Sequence, residues 1–365
     1  MEKMKFYRLD NIKKHKAKYN VIFGERSNGK TYAVCDEGLF NYCDTGKQMA
    51  VIRRWEEDLK GGNGQQFFEN LVNNGLVEKY TKGQWNNITY YGKRWYLSKV
   101  ENEKIIMDKT PFAFAFALTK AESYKSTSYP NITTILFDEF LTRKFELPNE
   151  FIEFTSILST IIRLRTDVTI YMCGNTINKY STYFKEMGLY KVEEMEKGDI
   201  DIYNYGDSGL VVAVEYADSP SKKGKPSDVY FAFNNPRLNM IKYGDWEFAN
   251  YPHLQCKYKP KDIIFKYFIN FNNHLLQCEI ICVDDSIFTY IHKTTFSIEK
   301  IVDEVIFDLE TSYKPNRITY LNRPANTWQK KIYQFYLNDK VFYQDNDTGE
   351  IVRNYLNQCK IRGGQ

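Results

Sequence analysis

The chain has 365 residues, 43% of them hydrophobic and 26% charged, which excludes wholesale disorder and suggests two domains. Lys and Arg number 50 against 46 Asp and Glu, a net charge of +4 that is too near neutral to mark a nucleic-acid binder by itself. The longest apolar run, residues 112–118, is far short of the roughly 20 residues a spanning helix needs. Residues 1–20 hold no secretory-type apolar stretch, and the seven cysteines form no C-x-x-C pair. A reduced, cytosolic-type protein with no membrane partner is expected.

From about residue 19 to 178, apolar strand-like runs alternate with helix-like stretches, the pattern of a parallel sheet covered by helices. Residues 19–23 read as the first strand. Gly24-Glu25-Arg26-Ser27-Asn28-Gly29-Lys30-Thr31 follows and fits G-x-x-x-x-G-K-[ST], and residues 32–40 read as the helix that such a loop must enter. The two glycines let the backbone wrap a triphosphate and aim N–H groups at its oxygens, with the helix N-terminus adding its positive dipole end. Gly24, Ser27, Asn28 and Gly29 therefore form the cradle; Lys30 would reach the β- and γ-phosphates, and the Thr31 hydroxyl would ligate Mg²⁺. Arg26 is either a further phosphate contact or a solvated loop tip. ATP with Mg²⁺ is the expected cofactor pair.

Residues 49–53 read as the second strand, closed by Arg53 and Arg54 at the sheet edge where ligands of open α/β sheets gather, so Arg53 joins the nucleotide-binding candidates. Residues 88–118 read as an inserted antiparallel region; in it Phe112, Phe114 and Phe116 alternate with alanines as a period-two strand. Lys125 lies in the polar run before Tyr129-Pro130, from which it can reach across an interface.

Residues 133–138 are an apolar strand ending in Asp138-Glu139. In P-loop hydrolases an aspartate at such a strand end holds Mg²⁺, and a following glutamate polarises the attacking water. Asp138 is assigned to metal and Glu139 to the catalytic base. Glu139 favours a cycling ATPase over a nucleotide-binding switch, which can lack a base on this strand. Arg163 and Arg165 flank Leu164 just before the next strand, residues 168–173; each is either an arginine offered to a neighbouring subunit or a surface ion-pair partner. Asn175, just past that strand, reads either as a sensor of the γ-phosphate or as an ordinary turn residue.

Residues 185–219 hold nine Asp and Glu against three Lys, and residues 219–226, Ser-Pro-Ser-Lys-Lys-Gly-Lys-Pro, have linker composition. This places an ATPase domain at 1–190, a connector at 191–228 and a C-terminal α+β domain at 229–365. In that last part residues 263–293 read as a strand meander turned by Asn272-Asn273-His274 and Asp284-Asp285-Ser286, with helices at about 325–338 and 351–359.

Residues 20–33 around the phosphate loop, Val51-Ile52-Arg53-Arg54-Trp55, residues 129–140 and Ile162-Arg163 occur in an order and spacing that resemble the DNA-packaging ATPases of phi-29-like tailed phages. The resemblance covers about the first 180 residues. It implies a RecA-like, additional-strand P-loop ATPase domain with a mostly parallel sheet, followed by a smaller α+β domain of degenerate ribonuclease-H-like fold without nuclease activity. It further implies an ATP-driven translocase of double-stranded DNA, working as a homomeric ring, a pentamer, on the portal of a preformed capsid. Such a protein acts in the host-cell cytoplasm, transiently at the portal vertex, and packaging RNA is a partner in some relatives. Lys30, Thr31, Asp138 and Glu139 fall on the family's phosphate and acidic motifs, Arg163 rather than Arg165 on its subunit-bridging arginine, and Lys125 on a second interface basic residue. Residues 141–146 are shorter than the family's pore-facing loop, in which Arg143 and Lys144 are the DNA-contact candidates. The rival readings are another phage or plasmid ring ATPase, such as a helicase or assembly ATPase, and a nucleotide-gated scaffold that does not turn over.

Overall fold

The computed structural model describes residues 6–101, 104–142, 146–218, 246, 249–301, 303–310 and 314–362, and the chain divides into two compact units, Met1–Trp246 and Glu247–Gln365. In the first unit α1 (Asp10–Lys13) precedes β1 (Tyr19–Gly24), α2 (Lys30–Thr45) and β2 (Gln48–Arg53). Three short helices follow, α3 (Gly61–Gln66), α4 (Glu69–Asn73) and α5 (Leu76–Tyr80), then β3 (Asn87–Tyr91), β4 (Arg94–Glu101), β5 (Lys104–Met107) and β6 (Ala113–Ala117). β7 (Ile132–Asp138), α6 (Glu150–Ile162), β8 (Thr169–Asn175), α7 (Thr182–Glu186), β9 (Ile200–Tyr205) and β10 (Leu210–Ala217) complete it.

The sheet runs β3-β4-β6-β2-β7-β8-β1-β10-β9, with β5 paired to β4. β6, β2, β7, β8, β1 and β10 are mutually parallel. Central parallel strands are covered on both faces, which is why β1 and β2 read as unbroken apolar runs rather than as alternations. Val21, Phe23, Ala50, Ile52, Ile135 and Phe137 point to one face, where Phe154, Ile157 and Ile161 of α6 close the layer. Ile22, Met49, Val51 and Leu136 point to the other, where Val34 and Leu39 of α2 meet them. Each of these Val, Leu, Ile, Phe and Met side chains, fully buried, stabilises the fold by about 1.5–3 kcal/mol in transfer terms.

Two expectations change. The strand expected within the antiparallel insertion, β6, is the seam between the two arrangements: one edge pairs antiparallel with β4, Trp95 opposite Ala113, and the other pairs in parallel with β2, Met49 opposite Ala113 and Arg53 opposite Ala117. Its Phe/Ala alternation is one of size and not of polarity, because both of its faces are buried. The second change concerns the connector: residues 200–217 are not linker but two strands of the sheet, β10 lying parallel to β1 and β9 antiparallel to β10. The apolar run Leu210-Val211-Val212-Ala213-Val214 that forms β10 lies inside the acid-rich stretch. The acid within β10, Glu215, is buried; desolvation raises its pKa, and it accepts a 2.6 Å hydrogen bond from Tyr7 Oη. The basic linker at 219–226 lies outside the described residues, and so do Arg143 and Lys144.

The second unit contains β11 (Ile263–Phe271), β12 (His274–Val283), β13 (Ser286–Lys293), β14 (Val305–Asp308), β15 (Arg317–Ile318), α8 (Thr327–Leu337), β16 (Val341–Tyr343) and α9 (Asn346–Arg362). Its sheet order is β15-β14-β11-β12-β13-β16. An antiparallel meander whose first strand pairs in parallel with the fourth, and the fourth with the fifth, is the strand plan of the ribonuclease-H-like fold. Both meander turns are the expected residue pairs: Asn272-Asn273 and Asp284-Asp285 all have positive φ, as two-residue hairpin loops require.

Candidate functional site

The phosphate loop leaves β1 between β8 and β10. A Cβ on Gly24 would lie 2.6 Å from the Ala217 carbonyl oxygen, so no larger residue fits where β1 passes β10. Gly29, at φ 95°, turns the chain into α2 through the left-handed region. Ser27 also has positive φ and is exposed, as is Arg26. Asn28 is buried: its Oδ1 accepts from the Lys30 backbone N–H at 3.3 Å and from Lys30 Nζ at 3.1 Å, and its carbonyl accepts from Tyr7 N at 2.9 Å. Lys30 Nζ also donates to the Glu25 carbonyl at 2.6 Å. Burial lowers the Lys30 pKa to about 8, against the pull of Cys173, Asp138 and Glu25.

At the end of β7 the acidic pair meets the loop. Thr31 Oγ1 donates to Asp138 Oδ1 at 2.6 Å. Arg53 Nη1 donates to Asp138 Oδ2 at 2.6 Å and Arg53 Nη2 to Glu139 Oε2 at 2.8 Å. Thr31, Asp138, Arg53 and Glu139 thus form one continuous chain of polar contacts. Burial works against the Arg53 charge, but the Asp138 and Glu139 carboxylates outweigh it and keep its pKa above the usual value. Glu139 has left the strand, at φ 55°, with its side chain 60% exposed. Phe140 then returns to the core: its N–H donates to the Cys173 carbonyl at 3.2 Å, and its ring lies where a Cβ on Gly174 would come within 2.9 Å.

Asn175 ends β8 directly opposite Gly24, and Thr176 N donates to the Gly24 carbonyl, so the residue expected to sense the γ-phosphate borders the loop. Arg163 and Lys125 are elsewhere. Arg163 caps the far end of α6, a helix of 13 residues and therefore about 20 Å long, whose first residue, Glu150, sits at the Asp138 edge. Arg163 Nη2 donates to the Thr127 carbonyl at 3.2 Å, two residues beyond Lys125, which itself pairs with Glu122. Arg165 is occupied differently: its Nη2 donates to the carbonyls of Tyr129, Ile132 and Ile161, and its Nη1 to Asp167. Leu164 between them is 100% exposed.

The sequence places Arg54 beside Arg53 at the sheet edge but gives it no role, and it does not single out Glu150. Arg54 Nε and Nη2 each lie 2.8 Å from a Glu150 carboxylate oxygen, and both residues are buried. Removing one member of such a pair leaves an uncompensated buried charge, at a cost of about 3–5 kcal/mol. The available signal was the Arg53-Arg54 doublet, since consecutive residues at a strand end point in opposite directions. In the second unit Asp308 was likewise passed over; it accepts from Asn270 at 2.8 Å and lies 3.7 Å from Arg317. Among the described residues no cluster of three or more His, Cys, Asp or Glu side chains could hold a metal ion, and no helix is long and apolar enough to cross a membrane.

A parallel sheet with a strand–phosphate loop–helix unit, an acidic pair at the end of β7 and β8 between the two is the RecA-like P-loop ATPase fold. Residues 1–227 match the family model described as Podovirus DNA encapsidation protein (Gp16), and the chain belongs to that family. It is 24% identical over 283 residues to the DNA packaging protein of Bacillus phage PZA, covering 76% of each chain. It is 25% identical over 228 residues to that of Bacillus phage phi29, covering 62% of this chain and 61% of the relative. Among solved structures, the bacteriophage Phi-29 viral genome packaging motor assembly superposes with a TM-score of 0.58 at 19% identity over 96% of both chains.

Proposed function

We propose that this chain is the ATP-hydrolysing subunit of a homo-oligomeric ring motor that drives double-stranded viral DNA into a preformed capsid through its portal. The observation that carries the reading is the contact chain Thr31–Asp138–Arg53–Glu139 at the mouth of the phosphate loop. Membership of the encapsidation family and the DNA packaging proteins among its relatives support the DNA and capsid partners. The first unit then carries ATP hydrolysis, and the second, on a ribonuclease-H-like sheet, contacts DNA or portal without cutting.

The loop N–H groups and Lys30 hold the β- and γ-phosphates. Thr31 Oγ1 and the Asp138 carboxylate are adjacent oxygen donors, the hard, compact set that Mg²⁺ prefers, and they would hold it. Bound there, Mg²⁺ neutralises charge on the phosphate oxygens. Glu139 orients the attacking water and takes its proton, Asn175 registers the γ-phosphate, and Arg53, which already bridges both carboxylates, gains the phosphates as a further partner. Arg163, with Lys125, serves the site of the neighbouring subunit.

Purified empty capsids, DNA and ATP provide the test: the parent protein packages DNA into a nuclease-protected state, and Lys30→Ala does not. An active ATPase that packages nothing in this assay would turn the reading toward a helicase.

A pH dependence follows from Lys30. Below about pH 8 its ammonium is charged and ready for the phosphates; above that it is neutral, and binding must first take up a proton. ATP affinity therefore falls as pH rises through about 8. Calorimetry in two buffers of different ionisation enthalpy should register proton uptake on the alkaline side, and a pH-independent affinity would contradict the burial of this group.

A further inference from the structure

Arg53 and Arg54 stand side by side at the end of β2 but hold different things. Arg53 grips the two carboxylate groups, whereas Arg54 grips main chain: its Nη1 donates to the Glu139 carbonyl at 3.2 Å and its Nη2 to the Phe140 carbonyl at 2.7 Å. We propose that Arg54, fixed by Glu150, is a positioning residue that sets the Glu139 carboxylate for ATP hydrolysis; this rests on the assignment of Glu139 as base.

Glu139 needs such support. A non-glycine residue in the left-handed region persists only where its surroundings over-determine it. Here Phe140 is held from one side by the Cys173 carbonyl and the bare face of Gly174, and from the other by Arg54. Arg54 is in turn immobilised by the two-point Glu150 contact. Glu150 is fully engaged as well: its Oε2 accepts from Leu147 N at 2.6 Å and its Oε1 from Tyr183 Oη at 2.9 Å. The planar guanidinium satisfies a carboxylate and two carbonyls at once, which a lysine ammonium cannot do with the same geometry. Through Glu150 the clamp joins Glu139 and Phe140 to Leu147 and the start of α6, which fixes the backbone that carries the base beside Arg53. Glu146, just before Leu147, accepts from Ser181 Oγ at 2.9 Å and so ties the approach to α6 to the segment after β8.

The experiment compares full-length parent protein, Arg54→Lys and Arg54→Gln/Glu150→Gln, each with and without Glu139→Gln, by ATP turnover, ATP binding and thermal unfolding. The paired glutamine variant removes both charges and leaves neither one buried alone. A displaced base should cost about 10- to 100-fold in kcat, with ATP affinity and KM unchanged. On the Glu139→Gln background neither change should slow turnover further, because there is no base left to misplace. Parental kcat in Arg54→Lys, or a loss that multiplies with that of Glu139→Gln, overturns the proposal. If the paired variant melts without a folded transition, Arg54→Lys, which keeps the charge, decides alone. Parental turnover in Glu139→Gln by itself would instead remove the base assignment, and the positioning role with it.

Discussion

Rings assembled wholly from Arg163→Ala subunits are expected to lose about 10³- to 10⁵-fold in ATP turnover, the range for an arginine that stabilises charge on a transferring phosphoryl group. ATP binding should survive the change. The expectation rests on where α6 carries this residue. Glu150, the first residue of α6, pairs with Arg54, which also bonds the Phe140 carbonyl at the acidic edge, and Arg163 lies a whole helix length from Glu150, about 20 Å. The neighbouring Arg165 bonds the Ile132 carbonyl at the start of β7, the opposite end of that strand from Asp138, so a role for Arg163 in phosphoryl transfer is expected on another copy. Arg165 is the weaker candidate because three backbone carbonyls hold its guanidinium. Among the described residues the Arg163 guanidinium has one hydrogen bond, at 3.2 Å to the Thr127 carbonyl, and it stands beside the fully exposed Leu164, an apolar tip suited to a partner. Mixing decides the matter. Arg163→Ala subunits supply intact phosphate loops and Lys30→Ala subunits supply intact arginines, so mixed rings should recover part of the activity that neither parent ring has. Mixed rings demonstrated by size and composition yet still inactive would return Arg163 to a structural role.

Glu139→Gln should retain ATP and lose about 10²- to 10⁴-fold in kcat, the usual contribution of a positioned general base. Glutamine keeps the shape and can still accept from Arg53, which bonds Glu139 Oε2 at 2.8 Å, but it cannot take a proton. Single-turnover hydrolysis with labelled ATP separates this from a binding defect. Turnover at the parental rate would show that the base lies elsewhere. Asp138 is expected to behave differently: it contacts Thr31 and Arg53 together, so its loss disturbs the metal-holding donors and the loop at once.

The phosphate loop was legible because its chemistry is contiguous. Eight successive residues contain the glycines, the lysine and the hydroxyl, and the strand before and helix after are each visible in their own composition. The acidic pair was legible for a related reason, since an apolar run ending in Asp138-Glu139 marks its own strand end. The meander turns were equally local, with Asn272-Asn273 and Asp284-Asp285 adopting the positive φ angles that such pairs tolerate.

The rest depended on which strands become neighbours. β10 lies beside β1 although about 190 residues separate their starts, and its acidic surroundings made the segment read as connector. β6 pairs in parallel with β2 on one edge and antiparallel with β4 on the other, pairings that no alternation within residues 113–117 could announce. Arg53 and Arg54 look interchangeable in the chain, and only the fold turns one toward two carboxylates and the other toward Glu150 and two carbonyls. Sequence by itself therefore determined the parts whose partners are near in the chain: the loop, the strand ends and the turns. Tertiary structure decided the contacts between residues some ninety positions apart, because a buried charge takes its partner from whatever the packed sheet brings within hydrogen-bonding distance.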